Sequence, residues 1–433
     1  MSSRVQVALR LAITATVAIT LCGPARASVD LTYKRHGLSF GDSERVHGLW
    51  FNFVDRRIRE VNGVNVTLWR GDEPPNSKVR GLAIGLFPRA TELTGVQVGL
   101  ASVRATRLTG VGVAPGLGAE EDVSGVFAGI GLGAGNDLSG IGVSLGGGAG
   151  RDVTGVFVMG FGGGAGRDIT GIASGLFAVG AGRDITDIAS GLFAVGAGRN
   201  ITGIAVGGFA VGAGEDMTGI AVGGFGVGTG NNAKGLIFGG LGVGAGQNMT
   251  GVALSTVAVG VGQNAKGIMA GGLAAGVGQN ATGIMLGGIG AGVGQNFKGL
   301  MAAAGGAGVG QNATGIVLGG LGAGVGQNLK GIMAAAGGAG VGQDATGIIV
   351  GGLAAGAGGT IRGGALALGH TRSEGLRGVA ISAYNRVEGR QTGLAIGIVN
   401  YAEELHGVQI GVVNIARSNP SGLRVTPLIT VGF

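Results

Sequence analysis

Residues 283–298 read Gly-Ile-Met-Leu-Gly-Gly-Ile-Gly-Ala-Gly-Val-Gly-Gln-Asn-Phe-Lys. Apolar side chains fall at Ile284 and Leu286, then at Ile289, Ala291 and Val293, so two short runs of period 2 flank the pair Gly287-Gly288. That period is the mark of a strand with one buried face. A helix through the same residues would carry several interior glycines, each costing about 1 kcal/mol relative to alanine. The same count argues against membrane-spanning helices, even in the uncharged stretch from Gly235 to Ala265.

The segment is one unit of an array. Outward from Gly283, glycine recurs at every sixteenth position: Gly155, Gly171, Gly203, Gly219, Gly235, Gly251, Gly267, Gly299, Gly315, Gly331, Gly347 and Gly363, with Asp187 in the skipped slot. Towards both ends the beat shortens by one or two positions (Gly81, Gly95, Gly110, Gly125, Gly140; Gly378, Gly393, Gly407, Gly422). A fixed period of this kind predicts a stack of similar units. The array predicts some 22 units from Gly81 to Gly422.

Stacking the units in register produces columns. One holds Gln247, Gln263, Gln279, Gln295, Gln311, Gln327 and Gln343; its neighbour holds Asn232, Asn248, Asn264, Asn280, Asn296, Asn312 and Asn328. In parallel strands about 4.8 Å apart, identical amides can hydrogen-bond along the axis as ladders. Phe161, Phe177, Phe193, Phe209 and Phe225 form a third column, suited to aromatic stacking in a core, and Ile172, Ile188, Ile204, Ile220, Leu236, Val252, Ile268 and Ile284 a fourth. Lys234, Lys266, Lys298 and Lys330 alternate with Thr250, Thr282, Thr314 and Thr346, which keeps ammonium groups off adjacent units. Duplication of a two-unit segment (281–312 and 313–344 are near copies) would give the same alternation. The expected fold is therefore all-β, a repeat β-solenoid of about 15–16 residues per coil.

Composition agrees. The 433 residues include 103 glycines, 4% aromatics and 12% charged residues, yet 45% are hydrophobic, far more than a disordered chain carries. Residues 1–27 read as a signal peptide: Arg4 and Arg10, the apolar run Leu11 to Leu21, then Ala25-Arg26-Ala27 as a cleavage site before Ser28. The single cysteine, Cys22, leaves with it, and loss of Arg4, Arg10 and Arg26 takes the formal charge from +7 to +4. That charge, spread over the chain, does not point to nucleic acid. Residues 28–80, with Trp50, Trp69, the run Asp55-Arg56-Arg57-Ile58-Arg59-Glu60 and the turn Pro74-Pro75-Asn76, read as an N-terminal cap with degenerate units at Gly48 and Gly63. Residues 81–363 are the glycine-rich array, and 364–433, which regain charge together with Tyr384 and Tyr401, are C-terminal repeats and a cap.

No catalytic, cofactor or metal site is expected. Strings of the G-x-G-x-x-G type are unavoidable in a chain so rich in glycine and lack the strand–helix context of a phosphate loop. Gly147-Gly148-Ala149-Gly150-Arg151-Asp152 and Gly163-Gly164-Ala165-Gly166-Arg167-Asp168 match the opening of calcium-binding β-roll repeats, but those follow a shorter, nonapeptide period. Arg151, Arg167, Arg183 and Arg199 instead read as neutralising Asp152, Asp168 and Asp184 along a solvent edge. His36, His47, His370 and His406 are scattered near the ends, and Glu120-Glu121-Asp122 and Glu403-Glu404 read as solvated turns. The glycosylation-like triplets at Asn65, Asn200, Asn248, Asn280 and Asn312 are read as ladder residues.

Gly-Leu-Ala-Ile-Gly-Ile-Val-Asn-Tyr-Ala (393–402) and Gly-Val-Gln-Ile-Gly-Val-Val-Asn-Ile-Ala (407–416) resemble the glycine-rich surface-repeat proteins of leptospires and other Gram-negative bacteria. The resemblance covers residues 48–110 and 378–433 and is looser between them. It implies an outer-membrane or cell-surface setting and no catalytic residues. The expectation is an exported, non-enzymatic protein with a structural or adhesive role, bound to a surface partner or to itself, with the periplasm or secretion as the other destinations. The rival is an outer-membrane β-barrel for transport, with one strand per unit, supported by the Ile429, Val431, Phe433 alternation. Against it, the lumen would be glycine and alanine and the aromatic girdles are missing.

Overall fold

The computed structural model describes residues 29–41, 43–69 and 76–432, so the signal-peptide reading at 1–27 lies outside the described residues, as do Pro74 and Pro75 of the expected turn. The chain divides into two compact units, residues 1–166 and 167–433. Each unit is a parallel β-solenoid and not a barrel; the chain is 73% strand, with about 22 turns in all. The barrel fails on strand direction: its neighbours would be antiparallel hairpins, whereas these strands pair in parallel with the equivalent strand one coil on. Among the described residues no helix is long and apolar enough to cross a membrane.

In the second unit, from Ile169 to Ile381, each coil contributes a strand of seven or eight residues and one of four, such as Ile201–Gly207 and Ala210–Ala213, before the longer strands Tyr384–Ile396 and Val399–Ala416. Ile201 pairs with Met217 and Gly203 with Gly219, while Ala210 pairs with Gly226, so both sheets stack in one common register. Four side-chain columns fill the interior. In successive coils they are Ile185, Ile201 and Met217; Ala189, Ala205 and Ala221; Val195, Val211 and Val227; and Ala181, Ala197 and Ala213. Where the third column is valine, from Val179 to Val259, the second is mostly alanine; where it becomes alanine (Ala275, Ala291, Ala307), the second becomes Met269, Met285 and Met301. Interior volume is conserved from coil to coil, as close packing demands.

This arrangement corrects the expected inside and outside of the first run. Met285 is buried, whereas Ile284 and Leu286 face out, and Ile289 at the turn is 65% exposed. The whole Ile172 to Ile284 column lies outward in the same way. The reason is space: two sheets joined within so short a coil enclose a thin interior, so small residues take most inward positions and the bulkier set is displaced outward. Strand alternation is preserved, but the opposite set of residues points in.

The glycine beat has a steric cause. Gly203, Gly219, Gly235 and their equivalents have φ between about +110° and +150°, and a Cβ on any of them would collide with the carbonyl oxygen of the same residue one coil earlier. Asp187 occupies the column at φ 82°. The column begins at Gly37, includes Gly48 and Gly63 in register with Gly81, and ends at Gly407. The expected degenerate units at Gly48 and Gly63 are thus coils in register with the array, whereas Gly422, expected as its last unit, sits in the short 3-10 turn Ser421–Leu423.

The first unit uses the same plan with slightly shorter coils. After Trp50, its largest buried side chains are Phe127 and Phe157, which alternate in one column with Gly112 and Gly142, at which a Cβ would run into the neighbouring rings. The unit opens with an antiparallel hairpin, Val29–Tyr33 and His36–Phe40, turned through Lys34 and Arg35, both at positive φ. The second unit closes with Val425–Gly432, antiparallel to Val399–Ala416. Ile429 and Val431, the support for a barrel, lie on this closing strand; Phe433 is outside the described residues. A reversed strand covers the edge that an unfinished parallel stack would offer to other chains.

Candidate functional site

The asparagine column is a continuous ladder. Nδ2 of Asn248, Asn264, Asn280, Asn296, Asn312 and Asn328 each donates to Oδ1 of the asparagine one coil earlier, at 2.9–3.0 Å, beginning at Asn232. Below Asn232 the column continues as Asp216, Asn200, Asp184 and Asp168, whose side-chain oxygens accept the main-chain N–H of the next coil. Asn200, Asn248, Asn280 and Asn312 of the glycosylation-like triplets are rungs of this column. Asn65 is not: it is buried and donates to Asp55.

Gln247, Gln263, Gln279, Gln295, Gln311, Gln327 and Gln343 also stack, but through the backbone. Gln263 N–H donates to the Gln247 carbonyl at 2.7 Å, and the pattern repeats to Gln343. Among the described residues no Gln–Gln side-chain bond forms within this column; Gln247 reaches Asn231 instead. This corrects the expected glutamine ladder. A longer, more exposed amide loses more rotamer freedom on fixing than the half-buried asparagine beside it and is already solvated.

Charged and amide positions are matched between neighbouring columns. Arg183 pairs with Asp168 and Arg199 with Asp184, each reaching back one coil, as Arg151 does to Asp137 at 2.6 Å. Beyond Arg199 the arginine column passes through Glu215 and Asn231 and is glutamine from Gln247 to Gln343, beside an acceptor column that is asparagine from Asn232 to Asn328. Burial opposes ionisation of Asp184, but hydrogen bonds from Arg199 and from the Asn200 side chain and backbone outweigh it and hold the carboxyl below its usual value. The backbone N–H of Thr360, aided by Arg362, does the same for Asp344.

The phenylalanine column stacks as expected but on the surface. Phe177, Phe193, Phe209 and Phe225 lie 4.9–5.1 Å apart and within 5° of parallel. All are more than 40% exposed, as is Phe161 in the first unit. They occupy the turn between long and short strands, where no interior exists to receive a ring. The lysine–threonine column is exposed and in register, Lys234 through Thr250, Lys266 and Thr282 to Lys298.

Two features escaped the sequence reading. Near the C-terminus the interior turns polar: Asn385 Nδ2 donates to Asn400 Oδ1, and Asn400 Nδ2 to Asn414 Oδ1, both at 2.7 Å and fully buried. Gln409 donates to Gln391 at 2.9 Å beside them. The signal was present in the repeated Val-Asn of residues 399–400 and 413–414. His36 and His47 stack at 5.2 Å across adjacent coils. Among the described residues no three His, Cys, Asp or Glu side chains gather as a metal site.

Compared with protein-family models, with curated proteins and with solved structures, the chain matches none.

Proposed function

We propose that this chain is an exported, non-enzymatic repeat protein of the cell envelope or cell surface, with a structural or adhesive role. One observation carries the reading: apolar side chains are displayed outward in register over many coils. Ile172, Ile188, Ile204, Ile220, Leu236 and Ile268 are each 38–41% exposed, and the phenylalanine stack lies nearby at the turn. A protein that meets only water rarely leaves more than a few hundred Å² of contiguous apolar surface uncovered. The repetition suits contact with an extended apolar surface, on a partner or on another copy, rather than recognition of one small ligand. The resemblance of residues 393–402 and 407–416 to Gram-negative surface repeats supports the envelope setting.

The test is to express the full chain in a Gram-negative host, probe intact cells with protease, and measure adhesion of those cells to an alkyl-coated surface. Cleavage on intact cells, with adhesion lost in an Ile204→Ser, Ile220→Ser, Ile268→Ser variant of equal abundance, is the expected result. Retention in the cytoplasm, or adhesion unchanged by the three substitutions, would overturn the proposal.

A further inference from the structure

In sequence the run Asp55-Arg56-Arg57-Ile58-Arg59-Glu60 looks nearly self-neutralised. The fold turns one of its two acids inward. Asp55 is 2% exposed and turned inward, where its carboxylate accepts hydrogen bonds from Asn52 and Asn65, at 3.1 and 3.3 Å, and from Thr67. Ile58 is wholly buried. These two residues pin the loop between the strands Arg45–Asn52 and Glu60–Thr67, leaving Arg56, Arg57 and Arg59 exposed.

They line an open cleft of about 760 Å³ together with Arg45, Lys78 and Arg80, against two carboxylates among the described residues, Glu44 and Glu60. Glu44 lies 3.5 Å from Arg59 and Glu60 3.9 Å from Arg80, longer than charge-assisted hydrogen bonds, and Lys78 turns to Glu92 at 2.8 Å. Glu60 stays ionised readily: the Asn62 side chain, and then the charges of His47, Arg80 and Arg45, hold its carboxyl below its usual value. Arg45 and Arg80 stand on strands joined through Glu60–Thr67 in fixed register, so the cleft has a rigid floor.

We infer that this cleft of the first unit is a binding site for phosphate groups, carried by a small multivalent anion or by a lipid headgroup. Planar guanidinium groups on several sides of a concave surface match the oxygens of a phosphate in a way that a scattered positive surface does not. Burial of Asp55 favours the site: of the two acids that flank the arginines in sequence, Asp55 is turned to the interior, while Glu60 stays at the cleft.

The probes are inorganic pyrophosphate, by calorimetry on the full chain, and vesicles of phosphatidylcholine with or without phosphatidylglycerol. Pyrophosphate should bind, weaken as salt is raised through the range where the Debye length falls below about 10 Å, and lose about tenfold or more in affinity in Arg56→Gln, Arg80→Gln. Binding to phosphatidylglycerol vesicles alone, with the same loss, would assign the headgroup as the source of the phosphate. The exposed pair Lys298→Gln, Lys330→Gln in the second unit should leave binding unchanged. No binding to either probe, or binding that the arginine variant keeps and the lysine variant loses, would overturn the assignment.

Discussion

Within the second unit one interior column changes character along the chain. From Val179 to Val259 it is valine, from Ala275 to Ala355 alanine, then Thr371, Asn385 and Asn400. The apolar coils are held by area and shape, which act without direction. The polar coils are held by a file of amides, each satisfied by the next and by turn carbonyls such as Ile396 and Ile410, and the file ends at the closing strand through Asn414 and Thr426. The polar file coincides with the shortened coils marked by Gly378, Gly393 and Gly407. Where the turn is cut and a strand reverses, directional bonds fix the register that a smooth apolar column would leave free to slip.

The glycine column is common to both regions, so breaking it should cost most and cost alike. Gly235→Ala among the apolar coils and Gly393→Ala among the polar ones each force a Cβ against a carbonyl at positive φ. Each should destabilise its coils by about 3 kcal/mol or more, read as loss of hydrogen-exchange protection around the site. A clear difference between the two would show that the polar coils have a backbone of their own.

Asn400→Leu separates the regions. It removes one partner of the Asn385 amide, which keeps the Ile396 carbonyl, and strands the Asn414 acceptor in the interior, at a cost of about 2–4 kcal/mol. Val211→Ala should cost about 1–2 kcal/mol by lost burial. Equal costs in urea unfolding would mean that the buried amides act as mere filler.

Asn280→Ala, in the outer half-buried ladder, should cost only about 1 kcal/mol, because water can replace the lost partner. The smallest effect concerns pH. The folded carboxyl of Asp184 titrates below its unfolded value, so its contribution is present above about pH 4 and is lost as pH falls through the unfolded and then the folded value. Asp184→Asn should flatten the acid limb of stability near residues 168–200 and leave residues 385–414 unaffected, as exchange at each pH would report.

Period, strand type and stacking were legible because Gly283 and its equivalents answer to one steric demand that recurs in every coil. The outer asparagine ladder was legible for the same reason. What misled was bulk: Ile284 and Leu286 outweigh Met285 in any hydrophobic pattern, and only the narrow interior decides that Met285 goes in. Phe177 and Phe193 gave the stacking but not the side of the wall. Asn385, Asn400 and Asn414 were hidden by their uneven spacing of 15 and 14. Asp55 could not be read as buried, since nothing local distinguishes it from the arginines it precedes.

The central claim is parallel stacking of one repeat per coil, and a cysteine ruler tests it most directly. In a Cys22→Ser background, Thr282→Cys with Lys298→Cys places two thiols on adjacent coils, at directly paired positions. The strand spacing of about 4.8 Å lies within reach of a disulfide, whereas two coils, about 9.6 Å, do not. Mild oxidation should therefore link that pair within one chain and fail to link Thr282→Cys with Thr314→Cys. Linkage of the second pair in preference to the first would contradict the stack.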